Sequence, residues 1–182
     1  TNLSGAVCAG STVTLTASGL INMGISYGID FISSPAVLAN PYSGGTIIAS
    51  VPNGSLTGGG TTATANVVLP TAGTVYLYAI LTPLPIDPLC RPFGQTSIVV
   101  SPIPDVNAVS NQVLCNGANT AAVIFSGSVV GTVFNWTNNT PSIGLAASGA
   151  GDIGSFTATN ATNAPLTATV TVTPSYTNAG VT

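Results

Sequence analysis

The chain is 182 residues long, 45% hydrophobic and only 3% charged, with one basic residue, four acidic residues and no histidine. An average soluble domain is about 25% charged; here Thr, Ser, Asn and Gly fill that share, so recognition of nucleic acid or anionic lipid through clustered basic side chains is excluded. The absence of His, Lys and Glu also removes a conventional Ser-His-Asp triad, a Cys-His pair and a lysine nucleophile, and no apolar run reaches the ~20 residues of a membrane-spanning helix.

Along the chain the dominant signal is period-two alternation, the mark of half-buried strands. Thr12-Val13-Thr14-Leu15-Thr16-Ala17 puts its apolar residues on one face and its threonines on the other. Strands follow at Thr46–Val51, Thr62–Leu69, Thr74–Thr82, Gln95–Ser101, Val123–Ser126, Thr132–Thr137, Ile153–Thr159 and Thr167–Thr173. Gly- and Pro-rich turns separate them at the spacing of a β-sandwich, and no stretch has helical periodicity. The fold class is all-β. Thr1 opens neither a basic nor an apolar leader, so a signal peptide is not expected within this sequence.

Two stretches repeat. Val7-Cys8-Ala9-Gly10 leads into a strand ending at Ser18-Gly19, and Leu114-Cys115-Asn116-Gly117 leads into one ending at Ser126-Gly127. The strands ending at Thr82-Pro83 and Thr173-Pro174 form a second matched pair. Such self-similarity signals a tandem array. Pro102 and Pro104 mark a stiff, extended join, which sets two domains, 1–102 and 103–182. Against the first copy, the second lacks a final strand and a second cysteine.

Candidate sites are few. Cys8 precedes the first strand of domain one and Cys90 its last, positions that can meet at one end of a sandwich; a Cys8–Cys90 disulfide is expected, the alternative being two buried free thiols. Cys115 then has no partner in the chain. Three cysteines in so uncharged a chain point to an oxidising, extracellular compartment. Asp105, at the join, is the one candidate ligand for a junctional calcium, against a plain solvated loop aspartate; no other metal or cofactor is expected. Asp30 and Asp87 are read as turn or loop aspartates rather than a glycosidase pair, and Gly58-Gly59-Gly60 as a hairpin tip rather than a phosphate loop. Trp136, alternating with Phe134, is read as the core anchor of domain two, with ligand stacking as the alternative.

The segment from Pro104-Asp105-Val106 to Leu114-Cys115-Asn116-Gly117, the strand Phe134-Asn135-Trp136-Thr137-Asn138 and the turn Ile143-Gly144-Leu145-Ala146-Ala147-Ser148-Gly149 carry a resemblance. They resemble the PKD-like repeats of Bacteroidota surface proteins, including giant gliding-motility adhesins. The match covers most of residues 104–182; residues 1–102 fit as a more distant Ig-like relative. The resemblance implies export by the type IX system, display on the cell surface and neighbouring repeats of the same polypeptide as partners. It lends no catalytic residue. The expected function is a spacer or stalk in a surface adhesin. The alternatives are a glycan- or protein-binding module and a filament subunit completed by a donated strand.

Overall fold

The computed structural model describes residues 6–20, 27–57, 61–83 and 91–177, and within them the chain forms ten strands and no α-helix. They divide into two compact units, one ending at Pro102 and the other running from Ile103 to Thr177.

Unit 1 contains β1 (Val7–Cys8), β2 (Thr12–Ser18), β3 (Gly28–Ser34), β4 (Thr46–Val51), β5 (Thr62–Val68), β6 (Gly73–Thr82) and β7 (Phe93–Ser101). A five-stranded sheet in the order β1-β7-β6-β3-β4 faces a two-stranded β2-β5 sheet. Among the described strands only the β1–β7 pair is parallel, with Val7 opposite Val100 and Cys8 opposite Ser101. Alternation does what the sequence implies in β2: Val13, Leu15 and Ala17 are buried and the threonines between them are exposed. These residues pack with Ala63 and Val67 of β5 against Ile29, Phe31, Leu77, Ile98 and Val100 of the larger sheet. Burial of such side chains contributes about 1.5–3 kcal/mol each.

β3 shows no alternation because it is covered on both faces. Ile29 and Phe31 point into the sandwich core, whereas Ile32 joins Tyr78 and Ile80 in a second cluster on the outer face, closed by Leu38 and Tyr42. A central strand of this kind reads as a continuous run rather than a period of two. The covering loop is tied down by tyrosine hydroxyls. Leu38 N donates to Tyr78 Oη at 2.6 Å, while Tyr42 Oη donates to Pro92 O at 2.7 Å and accepts from Leu81 N at 3.2 Å. Burial raises the pKa of Tyr42 above that of an ordinary phenol, against smaller opposing effects of the Leu81 hydrogen bond and the Arg91 charge.

Unit 2 contains β8 (Val133–Asn138), β9 (Ser148–Ala150) and β10 (Val170–Ser175), paired antiparallel in the order β10-β8-β9. Its second layer is a looser antiparallel pair of extended segments. Single bridges join Asn119 to Thr157 and Val123 to Ile153, with Thr120 N donating to Phe156 O at 2.9 Å between them. The strands expected at Val123–Ser126 and Ile153–Thr159 are therefore present as an interrupted ladder rather than regular strands. Between the layers lie Phe125, Trp136, Leu145 and Ile153.

The two units share one plan. In chain order, β2, β3, β4, β5 and β6 correspond to the segment at 118–125, β8, β9, the segment at 153–158 and β10. In space, the order β6-β3-β4 matches β10-β8-β9. The cysteine turns match bond for bond. Ser11 N donates to Cys8 O and Ala118 N to Cys115 O, both at 3.1 Å. Gly10 N reaches across to Leu69 O at 2.9 Å and Gly117 N to Ala158 O at 2.8 Å, and both glycines have positive φ, 78° and 84°. That backbone region costs a Cβ-bearing residue dearly, which is why glycine recurs there.

Candidate functional site: an apolar cleft in the second unit

Unit 1 fills the space between its first strand and β6 with β7. Unit 2 has a cleft in the corresponding place, of about 700 Å³. One wall is the extended segment Val109–Leu114 with Asn116, and the other is Pro165–Val170 with Val172. Phe125, Leu145, Ile153 and Phe156 form the floor, so the cleft opens directly onto the hydrophobic core of the unit. None of its lining side chains is charged.

The walls are held by hydrogen bonds from amide side chains. Gln112 makes a paired contact with Ala121, donating through Nε2 to its carbonyl at 3.0 Å and accepting from its N–H at 2.9 Å. Asn116 Oδ1 accepts from Asn160 N at 2.9 Å. On the opposite wall, Asn139 Oδ1 accepts from Thr169 N at 2.8 Å, extending the β8–β10 ladder beyond Val170. The rim is unusually apolar for exposed surface: Val113 is 97% exposed and Leu114 42%, while Val109 and Leu166 also face solvent. Val7, the counterpart of Leu114, is half-buried and packed on the unit 1 core. Among the described residues, β10 pairs only with β8, and its other edge carries no strand.

The residues singled out in the sequence lie elsewhere or at the margin. Asp105 is exposed and clamps a turn: its Oδ1 accepts from Ser128 N at 2.6 Å and from Ser128 Oγ at 3.0 Å. The Ser128 N–H, with the hydroxyl beside it, holds this carboxyl below the usual carboxylate range. A Cβ on Gly127 would collide with the Asp105 carbonyl, so the clamp requires glycine there. Among the described residues no three His, Cys, Asp or Glu side chains gather as a metal site.

Cys8 and Cys115 both carry free thiols, the first half-buried and the second exposed; Cys90 lies outside the described residues, as do Asp87 and Gly58–Gly60. The expected Cys8–Cys90 pairing therefore lies outside the described residues; Cys8 itself sits in β1 opposite Ser101 of β7. Asp30 is no turn aspartate: it lies within β3, is buried, and accepts from Ser50 Oγ at 2.6 Å. Trp136 is 7% exposed in the unit 2 core, its ring against Gly149 and its Nε1 donating to Gly151 O at 3.1 Å.

The cleft itself was legible only indirectly, as a repeat with one strand fewer than its neighbour; the exposed segment Val109–Leu114 has no periodicity that marks it. Comparison of the chain with family models, with curated proteins and with solved structures returns no match.

Proposed function

We propose that the chain is a pair of structural spacer modules from a bacterial cell-surface adhesin, acting as a stalk rather than as an enzyme. The observation that carries this reading is the recurrence of one plan in two consecutive units: the same strand order and the same Cys-x-Gly turn with its bonds. A polypeptide that repeats one fold along its length gains extent, each unit standing as a separate segment of an array.

The surface supports the same reading. Exposed faces are built from Thr, Ser and Asn, as in the outward threonines of β2, and nearly all recognition through charge is forgone. Cohesion comes from backbone ladders, two apolar cores and side-chain-to-backbone clamps such as Asp105–Ser128. On the resemblance to PKD-like repeats, export by the type IX system, exposure outside the cell and neighbouring repeats as partners belong to this proposal.

The test has two arms. Antibody raised against residues 1–182 should label intact, unpermeabilised cells, and the purified protein should give no saturable signal on glycan arrays. Saturable binding to one glycan class would make this a recognition module, and labelling only after permeabilisation would remove it from the surface.

A further inference from the structure

We propose that the cleft of unit 2 is an acceptor slot for an extended polypeptide strand of the β7 type: uncharged, with apolar residues at the alternate positions that face the core, as Ile98 and Val100 do in unit 1. The inference stands apart from the stalk reading, because it rests on the fold of unit 2 set beside that of unit 1 and not on where the protein is displayed.

Unit 1 supplies the template. There β7 lies between β1 and β6, parallel to the first and antiparallel to the second. Its inward residues Ile98 and Val100 are 4% and 0% exposed and complete the core. The turn after β1 is fastened to it by Ala9 N donating to Ser101 O at 2.8 Å. Unit 2 keeps both flanks of this arrangement. Leu114–Cys115 stands where β1 stands, and β10 stands where β6 stands, with its outer edge free of any strand among the described residues. Asn116, the counterpart of Ala9, lines the cleft between them.

The chemistry of the gap selects the occupant. An open strand edge offers backbone donors and acceptors in a row, which an added strand satisfies. The apolar floor of Phe125, Leu145 and Ile153 takes every second side chain, as the core of unit 1 takes Ile98 and Val100. With no charged lining side chain, the slot offers no counter-ion to a charged strand, so burying one there is unfavourable. The exposed Val113, Leu114 and Leu166 are the residues that such a strand would cover.

The probe is a fluorescein-labelled peptide with the sequence of Phe93–Ser101, titrated into the full 182-residue chain and followed by anisotropy. A control peptide has the positions of Ile98 and Val100 replaced by Asp. Saturable one-to-one binding is expected, weakened at least tenfold for the control peptide and for L114D, a substitution at an exposed position that far-UV circular dichroism should show to be folded. L166D, on the opposite wall, should weaken binding similarly. The peptide should also slow alkylation of Cys115, located by peptide mass mapping. Absence of saturable binding, equal binding of the control peptide, or indifference to both substitutions would overturn the proposal. Self-association of the chain without peptide, abolished by L114D, would identify a second copy as the occupant and overturn it equally.

Discussion

At the scale of single residues, unit 2 depends on side chains that stand in for backbone pairing. Asn138 is 5% exposed; its Nδ2 donates to Leu145 O at 3.0 Å and Ala146 O at 3.3 Å, and its Oδ1 accepts from Thr140 N at 3.0 Å. Asn138→Ala leaves these backbone groups without their partner, and denaturant melts should show a loss of about 2 kcal/mol. Gly149 lies opposite Trp136 in the β8–β9 register, where a Cβ would run into the indole. Gly149→Ala should cost about 1–3 kcal/mol, the usual range for overpacking, with a shift in Trp136 fluorescence as its local signature. Asp105 contributes to the behaviour in acid. Its folded pKa is depressed, so its contribution is present above the unfolded carboxylate pKa and is lost as pH falls through the folded value. Melting curves at pH 6 and pH 8 should superimpose in wild type, since the chain has no histidine to titrate between them. A D105N variant should differ from wild type at neutral pH and converge with it in acid. For the thiols, iodoacetamide should label Cys115 quickly and Cys8 slowly without prior reduction. A Cys8–Cys90 disulfide would instead leave Cys8 unlabelled until reductant is added, and the peptide map decides between the two.

At the scale of elements, strands with one face in water were the most readable. β2 and β5 fall where alternation puts them, with Thr, Ser or Asn between the inward apolar residues, and β4, β6 and β7 also fall near their expected ranges, although β6 buries Leu77–Ile80 on both faces. Gly28–Ser34 escaped because the loop after β3 covers its outer face and erases the pattern. β1 and β9, of two and three residues, are too short to carry a period, and the parallel β1–β7 pairing follows from tertiary register alone. Unit 2 was harder still: at 123–126 and 153–159 the period of two is broken, and only isolated bridges form there. The difference between β6 and β10 can be measured directly. β6 has neighbours on both edges and buries Leu77 and Ala79, whereas β10 is paired on one edge and leaves Val170 and Val172 half-buried. Native-state hydrogen exchange should therefore be slowest in β6, with alternate amides of β10 exchanging much faster. Equal protection of the two strands would contradict the open edge.

At the scale of the whole molecule, two short sequence motifs carry the repeat, and the matched cysteine turns and strand order are what those motifs build. A stalk needs units that fold alike, resist loss of their edges and carry little that competes for ligands. The measurement that tests the stalk reading most directly is made on cells: duplicate the coding segment for these 182 residues within its parent gene, then measure the height of the adhesive tip above the outer membrane and the range of surfaces bound. The stalk reading predicts a taller structure with unchanged target preference. A change in target preference at unchanged height would contradict it and assign recognition to these units.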